Sequence, residues 1–281
     1  MTTTPQRRAA VLGSPIAHSL SPALHRAAYT ALGLTGWSYG RHEVDEAALP
    51  AFIDRLRTEP AAGWAGLSLT MPLKRAVIPL LDRVGAPAAA VQAVNTVVVA
   101  ADGTLDGTNT DIPGLVNALR DSGVTRVPSA AVLGAGATAS SALAALAGLC
   151  DGDVTIYVRG PARAAEMRAW GERLGVPVVV APWERAARAL DAPLVIATTP
   201  AGATDALAAA VPAAPGTLFD VLYEPWPTAL AAAWAARGGA VLGGLDLLVH
   251  QAVLQVELMT GRVPGPLAAM RAAGLAASAA R

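Results

Sequence analysis

The chain has 281 residues, 53% hydrophobic and 4% aromatic, and its Lys and Arg balance its Asp and Glu at a formal net charge of +0. That length supports two domains and a sizeable core. The even charge points to neither nucleic acid nor an acidic membrane surface. The one cysteine, Cys150, excludes an internal disulfide. His18, His25, His42 and His250 show no metal-ligand spacing, so no metal is expected. The opening MTTTPQRRAAVLG lacks a signal-peptide core, which makes the cytoplasm the expected compartment.

Strand-like runs are expected at 9–12, 37–44, 64–70 and 94–100, with helices at 22–32, 46–57 and 72–83. Asp102-Gly103 marks a turn, and a helix follows over 112–120. Residues 127–150 carry no charge, but glycines and hydroxyls midway read as strand, turn and helix rather than a membrane span. Further strands are expected at 154–158, 176–180, 193–198 and 217–222 between Ala-rich helices, then helices at 245–259 and 266–279. The alternation predicts α/β architecture with a parallel sheet covered on both faces. A separate α/β unit precedes it and is expected to carry the substrate.

The apolar run Ala130–Leu133 leads into Gly134, Ala135, Gly136, Ala137, Thr138 and Ala139, then an Ala/Leu helix. This is the phosphate-cradling start of a dinucleotide-binding βαβ unit. Gly134 permits the tight turn, Gly136 lets backbone approach a pyrophosphate, and Ala139 keeps the helix close to the sheet. The helix N-terminus offers free N–H groups and partial positive charge. The next strand ends in Arg159, with Arg163 four residues on, where an NAD site usually has an acid. Two guanidiniums suit a 2′-phosphate, which predicts NADP.

Three segments of the first unit carry candidate chemistry. In GSPIAHSLSP, Ser19 and Ser21 precede a helix; Pro22 suits its first position and Ser21 its N-cap. Two hydroxyls at a helix start also make a carboxylate site. In SLTMPLK, Lys74 falls in a first helical turn, where the dipole disfavours positive charge and suits acid–base work. Asp111 closes DGTNTD at another helix start, where a carboxylate is favoured, and is a candidate partner for Lys74.

Taken together, GSPIAHSLSP, LSLTMPLK, AVNT, NTD, GAGATA, DVLYEPWPT and LLVHQA resemble the shikimate dehydrogenase family in order and spacing over nearly the whole chain. The resemblance implies a substrate domain over 1–112 completed by 246–281, whose C-terminal helices return to it, and a Rossmann-type NADP-binding domain over 113–245. It implies reduction of 3-dehydroshikimate to shikimate. By position it implies Lys74 and Asp111 as the catalytic pair and Ser19, Ser21, Thr70, Asn95, Tyr223 and Gln251 around the substrate. On the cofactor side it implies the 134–139 loop, Arg159, Arg163, Val221 and Gly244. The chain departs from the family with Ser68 for an asparagine, Asp246 for a glycine and Ala86 for a polar residue. A quinate or aminated-ring dehydrogenase using NAD(H) is an alternative. A non-catalytic dinucleotide sensor is another, although Lys74 and Asp111 are both retained. A small-molecule substrate, no nucleic-acid or membrane partner, and a monomer or homodimer are expected.

Overall fold

The computed structural model describes residues 6–59 and 63–281; residues 1–5, read above for a leader, lie outside them. The chain divides into two compact units, Met1–Thr110 with Leu248–Arg281, and Asp111–Leu247.

The first unit opens with β1 (Arg7–Gly13), α1 (Ser21–Ala31), β2 (Trp37–Glu43), α2 (Leu49–Thr58) and β3 (Trp64–Leu69). There follow α3 (Leu73–Ala76), β4 (Arg83–Val84), α4 (Ala86–Val91), β5 (Thr96–Val99) and β6 (Leu105–Thr108). The strands lie in the order β2-β1-β3-β5-β6-β4. β1 runs parallel to β2 and β3, whereas β5 is antiparallel to both β3 and β6. The sheet is therefore mixed. The expected Asp102-Gly103 turn joins β5 to β6 as a hairpin, with Gly103 at φ +85° and the Asp102 carboxylate accepting Thr104 N–H at 3.0 Å. Both faces are covered: Ala10, Leu12, Leu67 and Leu69 pack with Phe52 and Ile53, while Ala9 and Val11 pack with Tyr29 and Tyr39.

The single helix expected over 72–83 is instead α3, a 3₁₀ turn at Ile78–Leu80 and then β4. Pro79 breaks it, since its ring conflicts with the carbonyl four residues back and it has no N–H to continue the ladder. The helix expected from 46 starts at Leu49, because the Asp45 carboxylate takes the Ala48 N–H at 2.8 Å and holds the entry as a turn.

The second unit contains α5 (Asp111–Asp121), β7 (Ala130–Leu133), α6 (Ala137–Leu146), β8 (Val154–Val158), α7 (Pro161–Leu174) and β9 (Val178–Pro182). It continues with β10 (Leu194–Ala197), β11 (Thr217–Asp220), α8 (Ala229–Ala236) and β12 (Ala240–Leu242). The connections after β9 and β10 wind as 3₁₀ turns, Trp183–Asp191 and Asp205–Ala210, where Ala-rich helices are expected. All strands are parallel in the order β12-β11-β10-β7-β8-β9. This is the doubly wound Rossmann arrangement, whose direction reverses between β7 and β10. Val132, Ile156, Ile196 and Phe219 face α5 and α6; Ala131, Leu133, Val195 and Leu218 face Leu190 and Trp234. The uncharged 127–150 stretch is strand, turn and helix, and among the described residues no helix is long and apolar enough to cross a membrane.

The chain then enters α9 (Gly244–Thr260), most of which belongs to the first unit, and ends in α10 (Leu267–Ala279). α10 packs on α1, and Arg281 donates to the His18 carbonyl at 2.6 Å, which ties the C-terminus to the loop bearing Ser19.

Candidate active site

Ser19 is buried ahead of α1, and its Oγ accepts the Ser21 N–H at 3.3 Å. Ser21 is not the N-cap expected from Pro22: the helix begins at Ser21 itself, the cap position falls on Leu20, and no side chain caps there. Ser19 Oγ takes over part of the capping. The Ser21 side chain, released from that duty, acts on the buried Tyr39 phenol and lowers its pKa, against the larger effect of burial. Arg41 holds the loop by donating to the carbonyls of Ala17 and Ser19 at 2.6 and 2.7 Å.

The other polar residues of this unit cluster where β3, β5 and the end of β6 meet α9. Asn95 Oδ1 accepts Thr110 N–H and Thr96 Oγ1–H, each at 2.8 Å, and Asn95 Nδ2 donates to Gln251 Oε1 at 3.3 Å. Asn109 donates to the Ala93 carbonyl at 2.8 Å, locking the two loops together. Thr70 directly follows β3, its N–H on the Leu12 carbonyl at 3.0 Å. Lys74 is half-buried in α3, and its carbonyl accepts the Val94 N–H at 2.8 Å. Asn95, Thr96, Thr110 and Gln251 thus stand on one hydrogen-bonded framework. Asp111 follows Thr110 directly and is the buried first residue of α5, in the second unit.

Several members of that framework went unread in the sequence. Gln255 lies one helical turn beyond Gln251, so both point from the same face of α9. His25 stacks on Tyr39 with ring centroids 3.9 Å apart and approaches Gln255 Oε1 through Nε2 at 3.3 Å. Burial pushes the His25 pKa down to about 3, against a small opposing effect of the Gln255 bond. The ring is neutral, and because an amide oxygen only accepts, Nε2 carries its proton. Burial also pushes the Tyr39 phenol well above its ordinary range.

In the second unit, β7 runs into Gly134 at φ +110°, a conformation L side chains rarely adopt. A Cβ at Gly134 would lie 2.7 Å from Thr198 Oγ1, whereas one at Gly136 would meet nothing within 4 Å. The open side of the turn therefore faces away from β10. Gly136 leads into α6 with no side-chain cap, which leaves the first N–H groups, at Ala137, Thr138 and Ala139, to an external acceptor. Ala135 packs against the core, and Ala139 is fully buried. This open cradle at the sheet's switch point fits a dinucleotide pyrophosphate.

Arg159 is the first residue after β8, exposed, with its guanidinium 5.3 Å from the centre of the Trp183 ring. Trp183 is a further residue the sequence did not single out; it steadies the guanidinium by cation–π attraction. Arg163 pairs with Glu166 at 2.7 Å on α7. Val221 N–H reaches the Ala197 carbonyl at 3.0 Å and Gly244 N–H the Leu222 carbonyl at 2.9 Å, which brings the β11 end and the α9 start together. Tyr223 lies half-buried in the following connection. Asp246, the departure at the α9 start, accepts the Gly243 N–H at 2.9 Å and so serves the helix N-terminus. Cys150 is a packing residue: burial raises its thiol pKa, and its Sγ–H donates to the Gly152 carbonyl at 3.4 Å.

A doubly wound nucleotide-binding sheet, joined to a unit that gathers buried hydroxyls and amides, defines a two-unit dinucleotide-binding protein with a polar small-molecule site. Residues 11–97 match the model of the shikimate dehydrogenase substrate-binding domain, and residues 244–273 that of the shikimate 5′-dehydrogenase C-terminal domain. The chain is 39% identical to the NADP(+) shikimate dehydrogenase of Oleidesulfovibrio alaskensis over 92% of its own length and 91% of that protein's. The crystal structure of Mycobacterium tuberculosis shikimate dehydrogenase is similar at TM-score 0.86 and 40% identity, covering 96% of this chain and 99% of that one. The Thermus thermophilus enzyme, solved in complex with NADP(H) and shikimate, is similar at TM-score 0.82 and 36% identity, covering 97% of this chain and 100% of that one. The chain belongs to the shikimate dehydrogenase family.

Proposed function

We propose that this protein reduces 3-dehydroshikimate to shikimate with NADPH, in the biosynthesis of chorismate and the aromatic amino acids. The observation that carries the reading is the burial of Ser19 and Ser21, and of the hydrogen-bonded Asn95 and Gln251, in one unit of a chain of this family. It presents hydroxyl and amide groups, suited to a ring bearing several hydroxyls and one carboxylate. Ser19 and Ser21 hold the carboxylate, near the first turn of α1. Asn95, Gln251 and Thr70 bond ring hydroxyls, together with Asp111 and Tyr223. Lys74 donates a proton to the carbonyl oxygen as that carbon is reduced, and takes it back in the reverse direction.

NADPH, when bound, supplies the hydride. The residues that would hold it are the 134–139 turn at the pyrophosphate, Arg159 and Arg163 at the 2′-phosphate, and Val221 and Gly244 nearer the reacting end. Arg159 is the stronger phosphate ligand, since Arg163 already shares its charge with Glu166. We place the protein in the cytoplasm as a monomer or homodimer.

Steady-state assays of the purified protein with shikimate and quinate, each with NADP and NAD, test the reading. Shikimate with NADP should give the highest kcat/KM. Faster turnover of quinate with NAD, or no turnover of shikimate, would overturn it.

A further inference from the structure

Gln255 is 1% exposed, and each end of its amide is bonded. Its Oε1 accepts from Ser68 Oγ at 2.7 Å and from His25 Nε2 at 3.3 Å. Its Nε2 donates to Thr96 Oγ1 at 2.9 Å and to the Asn95 carbonyl at 3.3 Å. An amide flipped by half a turn would set its N–H groups against two donors and its oxygen against Thr96 and a carbonyl; only one orientation satisfies all four partners.

That orientation propagates in two directions. On one side Ser68 gives its proton to Gln255, so its oxygen is left to accept from the Tyr39 phenol at 2.6 Å, and Ser21 acts electrostatically on the same phenol. On the other side Thr96 accepts from Gln255 and gives its own proton to Asn95 Oδ1 at 2.8 Å. With Thr110 N–H also on that oxygen, the Asn95 side chain has one rotamer, its Nδ2 turned to Gln251. His25 adds rigidity by stacking on Tyr39 while donating to Gln255. Buried networks of this kind hold side chains at fixed angles because every broken bond leaves an unpaired group in a low-dielectric interior.

We infer that Gln255, acting with Ser68 and Tyr39, is a positioning residue for substrate: one buried amide sets the geometry of the carboxylate serine Ser21 and the ring-binding Asn95 and Gln251 together. The inference rests on the proposed function, since it presumes that those residues hold the substrate. It also gives the Ser68 departure a role: with serine at 68, the amide that organises this spot comes from α9.

The test uses Gln255→Met, which keeps length and volume and removes all four hydrogen bonds, with Ser68→Ala as a milder variant that cuts only the branch towards Tyr39 and Ser21. Parent turnover of shikimate is measured first, so that failure of the functional reading is seen separately. Dissociation constants for shikimate and for NADP, with kcat, are then compared across variants, with thermal unfolding alongside. Gln255→Met should weaken shikimate about 10- to 100-fold and Ser68→Ala about 3- to 10-fold, by the usual worth of one or two buried hydrogen bonds. NADP binding should stay within about twofold of the parent, because the cradle belongs to the other unit. A merely structural role would lower the unfolding temperature without separating the two ligands. If Ser68→Ala, or a folded Gln255→Met, binds shikimate as the parent does, or loses both ligands equally, the inference is overturned.

Discussion

Gly134 and Gly136 stand two residues apart in one turn, and the structure predicts that alanine at each will fail in a different way. At Gly134 the backbone has φ +110°, and a Cβ would sit 2.7 Å from Thr198 Oγ1 and 3.3 Å from Thr199 Cγ2. Holding alanine in that conformation costs about 1–3 kcal/mol. Pushing Thr198 aside breaks the bond its hydroxyl makes to the Leu133 carbonyl at 3.0 Å, worth about 1 kcal/mol. The steric shift where β7 meets β10 adds about 1–2 kcal/mol. Gly134→Ala should therefore cost about 3–6 kcal/mol in all, a large part of a typical domain's stability, and lower Tm by roughly 10 °C or more.

At Gly136 φ is −92° and no atom lies within 4 Å of the added Cβ. Loss of the glycine cap and gain in chain stiffness nearly cancel, so Tm should move by no more than about 3 °C. The new methyl, however, fills the open face of the cradle and should weaken NADP more than about tenfold, or 1.4 kcal/mol. Differential scanning calorimetry and NADP titration by fluorescence measure the two effects. Unchanged NADP affinity in Gly136→Ala would show that no phosphate enters this turn. A parent-like Tm for Gly134→Ala would refute the backbone argument.

Lys74→Ala should lower kcat by about 10²–10⁴-fold with a smaller change in KM for shikimate, as expected for a proton donor acting in the transition state; near-parent kcat would remove it from the mechanism. Arg159→Ala should weaken NADP by about 10- to 100-fold and leave NAD nearly unchanged, since only the 2′-phosphate distinguishes them; equal loss of both would place Arg159 elsewhere on the cofactor. His25 has a folded pKa depressed from 6.5 to about 3, so below pH 6.5 the unfolded chain takes up a proton that the folded chain refuses. Its contribution is full above that pH and is lost as pH falls towards 3, by up to about 1.4 kcal/mol per unit. His25→Phe, which keeps a ring on Tyr39, should flatten the loss of stability between pH 6.5 and 4 in urea titrations; an unchanged slope would assign the acid sensitivity to other groups.

The parts of this architecture that could be read from sequence are those whose cause is local. The Gly134 turn announces itself because a short apolar run, a glycine needing positive φ and an uncapped helix start follow one another within ten residues. The hairpin at Asp102-Gly103 is local too, but β6 contains Asp106 and Gly107 and shows no apolar run, so the strand after the turn went unrecognised and the sheet's mixed character with it. The break at Pro79 was available in principle; the apolar pattern on either side, Val77 and Leu80, outweighed it. Ser21 misled for a subtler reason. Pro22 is accepted at either of the first two helical positions, so its presence leaves the helix start open by one residue, and that residue decides whether the Ser21 hydroxyl caps the helix.

What supports the candidate site was not legible, because its contacts are long-range. Gln255 meets His25 across 230 positions of chain and Ser68 across 187. Neither partner carries a motif. A histidine in a helix beside a tyrosine at i+4 reads as packing, and a glutamine one turn beyond Gln251 reads as a polar helix face. Only the return of α9 to the first sheet gives those residues their meaning, by sealing them from water and leaving the Gln255 amide, the Ser68 hydroxyl and the His25 Nε2–H to bond one another. The side chains proposed to touch substrate announce themselves by motif, because their spacing relative to strand ends is constrained by one ligand. The residues that hold them have many solutions, and in this chain the solution is an amide on α9 facing a serine on β3.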